Sequence, residues 1–202
     1  MALGWQPSLF DLSSSSDGAE HTWLDETAWV DHLPGYLAGH DEVFAGLVAR
    51  CRWQQRRRVV YEREWAEPRL TWWPGQDEPW PEPLGVVVAD LSARYGVAFD
   101  KVGANLYRDG RDSVAWHRDR VHLVLRRPLV ATVTLGSARP FLLRTMRRPG
   151  ASVRFVPEPG DLLVMGGDCQ HTWQHTVPKV AAAGPRISVT IRHSGQGPII
   201  PG

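Results

Sequence analysis

The sequence predicts a mainly β domain with flanking helices, in the form of an antiparallel sandwich, barrel or jelly roll. Three observations predict it. From Asp100 onward, short apolar runs of strand length recur at close spacing, broken by Gly and Pro. Upstream, two stretches repeat apolar residues at helical spacing. At 202 residues, roughly 70% of the unfolded surface can be buried, enough for one well-packed domain, and no internal repeat or glycine-rich phosphate loop points to another organisation.

Taken in order, residues 1–20 read as a flexible tail, because the run Ser13 to Ser16 followed by Asp17 and Gly18 offers little apolar surface to bury. Within it, Gln6-Pro7-Ser8-Leu9-Phe10 resembles the short peptide by which many bacterial proteins dock on the DNA sliding clamp. Residues 21–202 form a single domain. Val43, Phe44, Leu47 and Val48 give Asp41 to Arg50 an apolar stripe, with acids at the end the helix dipole favours. A second helix follows Pro83 through Val87, Val88, Leu91 and Tyr95 and stops at Gly96. Both are expected to cover one face of a sheet. Between them, residues 56–80 are rich in Arg, Trp and Pro without sustained periodicity and read as a loop or short hairpin. The predicted strands are Val102 to Tyr107, Val130 to Leu135, Phe141 to Arg144, Ser152 to Val156, Leu162 to Met165 and Ile187 to Arg192.

The formal charge of +1 conceals an asymmetry: residues 1–49 hold eight acids and no base, which leaves 23 bases against 14 acids in the remainder. Such a division is compatible with a nucleic-acid partner. Only Lys101 and Lys179 are lysines, and the arginine excess suits planar, bidentate recognition, although a high-GC genome enriches arginine without a functional reason. Eight of the ten tryptophans fall between Trp5 and Trp80, where indoles beside arginines suit stacking on nucleobases. Two cysteines, Cys51 and Cys169, are too few for a disulfide framework or a cysteine-rich zinc site. No apolar run approaches the roughly 20 residues that span a bilayer, and no signal-peptide pattern opens the chain. A soluble, cytoplasmic monomer without membrane contact is expected.

The chemistry-bearing residues lie in the strand-rich half. His117 and Asp119, two apart, point to one face of a strand and can grip one ion together. A third ligand from a later strand, His175 or the rival His171, completes the two-histidine, one-carboxylate facial triad of non-haem Fe(II). Alone, His-x-Asp is better read as a surface pair; its company gives it weight. Arg186 and Arg192 share a face with Ser188 and Thr190 between them, and two inward guanidiniums demand anionic partners such as a dicarboxylate. Asn105 and Tyr107, again two apart, add neutral donors.

These elements together resemble the AlkB-type Fe(II)- and 2-oxoglutarate-dependent dioxygenases, which remove alkyl lesions from nucleic-acid bases. The resemblance runs from about Arg56 to His193 and rests on Asn105-x-Tyr107, Tyr107-Arg108-Asp109-Gly110, His117-x-Asp119, Leu135-Gly136, the run from Gly160 to Gly167, His175 with Val177-Pro178, and Arg186-x5-Arg192. It implies a double-stranded β-helix jelly roll with an N-terminal helical region and a nucleotide-recognition lid at about 56–80, the jelly-roll core spanning about 100–195. It further implies His117, Asp119 and His175 as iron ligands, and His175 over His171 because the family places the ligand just before a small-x-Pro segment. Asn105, Tyr107, Arg186, Thr190 and Arg192 would hold 2-oxoglutarate, and dioxygen would take the remaining metal position. By that resemblance, 2-oxoglutarate is decarboxylated to succinate while an N-alkyl carbon is hydroxylated and lost as an aldehyde such as formaldehyde.

A base inside a duplex cannot reach a buried metal, so the substrate is single-stranded or has its base flipped out. Arg69 to Gly75 resembles the family's lid, where an aromatic ring stacks on the base: Trp73 is the first candidate and Trp72 the second, with one of the two expected to be core. Arg56, Arg57, Arg58, Arg144, Arg147 and Arg148 are candidate phosphate contacts. The sequence departs from the family at one place. An acid commonly follows the metal-binding aspartate by one or two residues and meets the base, whereas here Arg120 and Val121 stand there; Asp112 and Glu64 are candidate substitutes. Two rival readings remain. An oxygenase of this fold acting on a protein or small molecule has no need of Trp72, Trp73 and the arginine clusters, and an idle nucleic-acid binder has no need of the complete ligand set.

Overall fold

The computed structural model describes residues 18–60, 62–75, 78–119, 125–147 and 150–195, with the backbone alone at 58–60 and 63. Gln6 to Phe10, Arg120, Val121 and Arg148 therefore lie outside the described residues, as does the side chain of Arg58.

Among the described residues, thirteen strands and three helices follow in chain order. These are β1 (Glu20–Trp23), β2 (Ala28–Leu33), α1 (His40–Arg50), β3 (Arg57–Val60), β4 (Arg63–Ala66), β5 (Leu70–Trp72), α2 (Leu84–Tyr95), β6 (Lys101–Tyr107) and β7 (Val114–His117). The second half continues with β8 (Val130–Gly136), β9 (Phe141–Thr145), β10 (Val153–Phe155), β11 (Leu162–Gly167), α3 (Cys169–Thr172), β12 (Trp173–Val177) and β13 (Arg186–Arg192). A seven-stranded sheet has the order β1-β2-β11-β8-β13-β6-β5, and a four-stranded sheet the order β10-β9-β12-β7. From β6 onward the chain crosses between these sheets at almost every turn, and the strands of both sheets pair antiparallel, which is the connectivity of a jelly roll. Among the described residues, no helix is long and apolar enough to cross a membrane.

Strand alternation divides the large sheet into two faces. Val102, Ala104 and Leu106 of β6, Ala131, Val133 and Leu135 of β8, and Ile187, Val189 and Ile191 of β13 pack outward against Val43 and Leu47 of α1 and Leu84, Val87 and Leu91 of α2. Both helices thus cover one face, as their apolar stripes predict. Helix α2 ends on Gly96 at φ 65°, a left-handed position that glycine adopts without the steric cost borne by other residues. A second core fills the space between the sheets, where Val30, Val130 and Met165 meet Phe141, Leu143, Trp173 and Val177.

Within 56–80 the described residues form a short hairpin, β3–β4, one of the two forms the sequence suggests, and then β5, which adds an edge strand to the large sheet against β6. Strands β1, β2, β7 and β12 and helix α3 also go beyond the predicted elements. Across the crossover, buried Asp161 ties β11 to the loop after β2: its carboxylate accepts from Gly35 N at 2.8 Å and Glu158 N at 2.9 Å and pairs with His32 Nε2 at 2.8 Å.

Candidate active site

The inner faces of the two sheets enclose a cavity of about 750 Å³. The same alternation that sends apolar residues to the helices sends Asn105 and Tyr107 of β6, Thr132 of β8, and Ser188, Thr190 and Arg192 of β13 into this cavity. The small sheet contributes Val114, His117, Phe141, His175 and Val177 from the opposite side. At the edge, Glu67, Arg69, Thr71 and Trp73 line the wall at every second residue, while Leu70 and Trp72 turn to the apolar core.

His117, Asp119 and His175 converge: one ligand atom from each lies within 4.8 Å of the others. Cross-strand pairing of His175 with His117 brings the two imidazoles together, ring centroids 4.3 Å apart. Strand β7 ends at His117, so Asp119 stands two residues beyond it rather than on the ladder. Its backbone N–H instead donates to Gln170 Oε1 at 3.1 Å, which turns the carboxylate to the same face. His117 Nδ1 lies 2.8 Å from the Ala115 carbonyl, an arrangement that places the proton on Nδ1 and leaves Nε2 for a ligand. Phe141 stacks on His175 at 5.3 Å and fixes its plane. His171 sits on α3 and is not a member of this cluster.

The electrostatics of the cluster suit a cation. Burial opposes ionisation of Asp119, but the Arg192 guanidinium beside it overrides burial and holds the carboxyl below the usual carboxylate range. Burial pushes His175 down to about 4, so its imidazole is neutral at physiological pH, the form that ligates a metal. Two imidazoles and one carboxylate on one side of an open cavity form the donor set of a non-haem Fe(II) site.

The residues expected to hold 2-oxoglutarate gather on the large sheet. Asn105, Tyr107, Thr190 and Arg192 line the cavity. Arg186 lies on the same face of β13, is fully buried, and packs 5.5 Å from the Tyr107 ring. Its Nη2 donates to Thr134 Oγ1 at 3.1 Å, while Nε and Nη1 have no partner among the described residues. A buried guanidinium with two unmatched donor nitrogens is costly unless an anion meets it, so this site fits a carboxylate. Burial already pushes Arg186 down to about 10.

Of the two stacking candidates, Trp73 lines the cavity, and Trp72 is core. Trp72 is 2% exposed and its indole N–H donates to Glu78 Oε1 at 3.3 Å, because neighbouring residues on β5 face opposite ways. The Trp73 ring lies directly over Gly103, where a Cβ would fall 2.3 Å from it, and its face receives the Arg192 guanidinium at 4.4 Å. Arg192 also bonds Asp119 Oδ1, so a single guanidinium joins the metal-side carboxylate to the aromatic wall. Exposed Arg56, Arg57 and Arg118 line the cavity rim. Arg144 instead stacks over Trp116 at 4.2 Å and bonds Gln174. Neither proposed substitute acid reaches the cavity. Glu64 pairs with Arg57 on the exposed hairpin, and Asp112 is locked by Arg108 through both oxygens.

The structure adds residues that sequence reasoning passed over. Glu67 is a buried cavity acid, ion-paired with Arg69 at 2.9 Å, and Arg69 Nε donates to Asn105 Oδ1 at 2.9 Å. The signal was the alternation of Glu67, Arg69, Thr71 and Trp73, hidden because large aromatics occupy both faces. Buried Arg139 spans the carbonyls of Asp109, Asp112 and Pro178 at 2.7–3.0 Å and pins the loops flanking β7 and β12.

Comparison with known proteins gives the family. The model of the 2OG-Fe(II) oxygenase superfamily matches residues 34–192. The chain is 32% identical to the alpha-ketoglutarate-dependent dioxygenase alkB homolog 3 of Bos taurus, over 91% of this chain and 70% of that one. It is 27% identical to the DNA oxidative demethylase ALKBH2 of Homo sapiens, over 92% and 77%. Among solved structures, it resembles OsALKBH1 with a TM-score of 0.62 at 14% identity, covering 86% of this chain and all of that one. It also resembles a Pseudomonas putida prolyl-4-hydroxylase with a TM-score of 0.58 at 16% identity, over 83% and 93%; both likenesses describe the fold. With its jelly roll and its His/Asp/His cluster, the chain belongs to the 2OG-Fe(II) oxygenase superfamily and, within it, to the AlkB-type Fe(II)- and 2-oxoglutarate-dependent dioxygenases.

Proposed function

We propose that this dioxygenase removes alkyl groups from damaged bases in nucleic acid, with DNA as the first substrate, by hydroxylating the carbon attached to a base nitrogen. The observation that carries this reading is Trp73, an aromatic wall beside the His/Asp/His cluster in a cavity rimmed by Arg56, Arg57 and Arg118. Relatives include a protein named as a DNA oxidative demethylase.

His117, Asp119 and His175 would hold Fe(II), and Asn105, Tyr107, Arg186, Thr190 and Arg192 would hold 2-oxoglutarate. When bound, these groups and dioxygen supply the oxidation, in which 2-oxoglutarate becomes succinate and carbon dioxide and one oxygen atom enters a substrate C–H bond. The remaining work belongs to the chain. Arg186 and Arg192 neutralise the two carboxylates of the cosubstrate and fix its orientation. Trp73 stacks on a base that has left its duplex or belongs to a single strand. Phe141, Val114 and Val177 keep part of the wall apolar and exclude water from the reacting carbon. The hydroxylated N–CH2OH group then breaks its C–N bond, returns the nitrogen with a proton, and departs as formaldehyde.

The test is anaerobic loading with Fe(II), followed by 2-oxoglutarate turnover on methylated and unmethylated DNA and RNA oligonucleotides. Formaldehyde is expected in proportion to the methyl groups lost. Its absence, or release that does not depend on the methyl group, overturns the reading. His117→Ala and Asp119→Ala are expected to bring turnover to background while leaving oligonucleotide binding largely intact.

A further inference from the structure

We propose that the outer face of the four-stranded sheet is a second nucleic-acid surface, which holds the substrate strand a few nucleotides beyond the base in the cavity. This inference rests on the reading that the enzyme acts on nucleic-acid bases.

Strand pairing sets which residues share that face. Leu143 of β9 pairs with His175 of β12, and both turn inward, to the core between the sheets and to the cavity. Their neighbours Arg144 and Gln174, also paired, therefore turn outward. Thr176 pairs with Leu142 and Leu142 with Arg154, which brings the edge strand β10 onto the same face, while Val153 and Phe155 pack inward on either side of Arg154. Helices α1 and α2 cover the outer face of the large sheet. On the small sheet Arg154 stays exposed, as do Arg118 and Arg147 at its margins.

The charge of this face is of one sign. Strands β7, β9, β10 and β12 carry no acid. From Arg120 to Pro157 the sequence holds eight arginines and no Asp or Glu, where the chain's 22 acids in 202 residues would place about four. Self-repulsion opposes such clustering unless an anion answers it. Arg139 is matched by loop carbonyls and Arg127 lies 4.0 Å from Asp168, but Arg144 and Arg118 meet only neutral groups among the described residues. Arg144 donates from Nε and Nη2 to Gln174 Oε1 at 3.4 and 3.2 Å, and Arg118 Nη1 donates to the His171 carbonyl at 3.2 Å. The Arg144 guanidinium sits over the Trp116 ring at 4.2 Å, so its planar fork is held in place, a geometry that suits a phosphate. Arg118 ties the face to the cavity, because it lines the cavity mouth and follows His117, the cross-strand partner of His175. Three strand spacings of about 4.8 Å carry the face about 14 Å from β7 to β10. A strand leaving the cavity over Arg118 thus meets Arg144 and then Arg154, and this continuity favours the substrate's own backbone over a separate acidic partner.

The experiment measures binding by full-length protein, loaded with Fe(II) and 2-oxoglutarate without oxygen, to a methylated trinucleotide and to a single-stranded DNA with the same central lesion. The longer strand has about 15 nucleotides, within the range of single-strand site sizes. Arg144→Gln with Arg154→Gln is expected to raise Kd for the long strand about tenfold and to lower the slope of log K against log salt by about 1.4, the share of two phosphate contacts. Kd for the trinucleotide is expected to change by less than about twofold, the scale of an exposed charge with no direct partner. Arg144→Lys with Arg154→Lys keeps both charges and is expected to keep the wild-type slope. If the first variant fails to fold, Arg147→Gln with Arg154→Gln, both at exposed positions, carries the same test. An unchanged slope, or equal weakening of long and short strands, overturns the proposal. Competition by a polyglutamate of matched charge as effective as that of the long strand also overturns it, and assigns the face to an acidic protein segment. Binding is read without turnover, so the two readings fail separately: if the variants behave as expected while no methylated oligonucleotide releases formaldehyde, dealkylation is overturned and the nucleic-acid surface stands.

Discussion

At the scale of single residues, Gly103 controls the aromatic wall. A methyl group there would fall 2.3–2.5 Å from three carbons of the Trp73 ring, and the ring is the part that must move. Gly103→Ala is therefore expected to displace Trp73 from its seat over the β6 backbone. Base stacking on an aromatic side chain contributes about 1–3 kcal/mol, so KM for a methylated oligonucleotide should rise about tenfold or more. The strain of overpacking, about 1–3 kcal/mol, should appear as a lower midpoint in thermal denaturation. An unchanged KM would show that the indole does not meet the base. The contrast with Trp72 is instructive, since two adjacent and chemically identical side chains divide between core and cavity through strand alternation alone.

At the scale of elements, Asp161 fastens the start of β11 to β2 and the loop after it through His32 and the Gly35 N–H, and braces its own loop through the Glu158 N–H. Asp161→Ala leaves those donors in a poorly hydrated place and is expected to cost about 2–4 kcal/mol, read from chemical denaturation. Asp161→Asn keeps an acceptor and should recover part of the loss. The elements also explain what the sequence could convey. Strands β6, β8, β9, β10, β11 and β13 were legible because apolar residues recur between Gly and Pro breaks, and α1 and α2 because their stripes meet a single face. Strand β12 was not, because His175 is buried there for the site and Thr176 for a hydroxyl bond to the Val114 carbonyl, neither for hydrophobicity. Strand β5 was hidden by its brevity and by aromatics on both faces. The chemical spacing of His117, Asp119 and His175 was legible without the strands that hold them, but Glu67 and Gln170 act through contacts that no local spacing announces.

At the scale of the whole molecule, the charge asymmetry acquires a direction. The acidic first quarter supplies β1 and β2 at one end of the seven-stranded sheet, and the cavity edge β5 closes the other. Measured along the sheet, six strand spacings of about 4.8 Å, about 29 Å in all, separate these ends, several times the screening length of about 8 Å at physiological salt, so Glu20 of β1 and Asp31 of β2 do not cancel the arginine rim. Both cysteines are remote from reagents: they are free and buried, and burial pushes Cys51 up to about 11 and Cys169 up to about 12. Raised values keep both as neutral thiols near pH 7.5, so an aromatic disulfide reagent should titrate none in the native protein and two after denaturation; reaction before unfolding would contradict their burial. The two faces of β6, β8 and β13 carry one last consequence. Residues that fold the protein and residues that serve its chemistry alternate along the same strands, so losing one residue within β13 would transpose the two sets. Length variation in this molecule therefore belongs to the β3–β4 hairpin and the connecting loops, and inside the barrel strands an insertion or deletion would remove fold and activity in a single step.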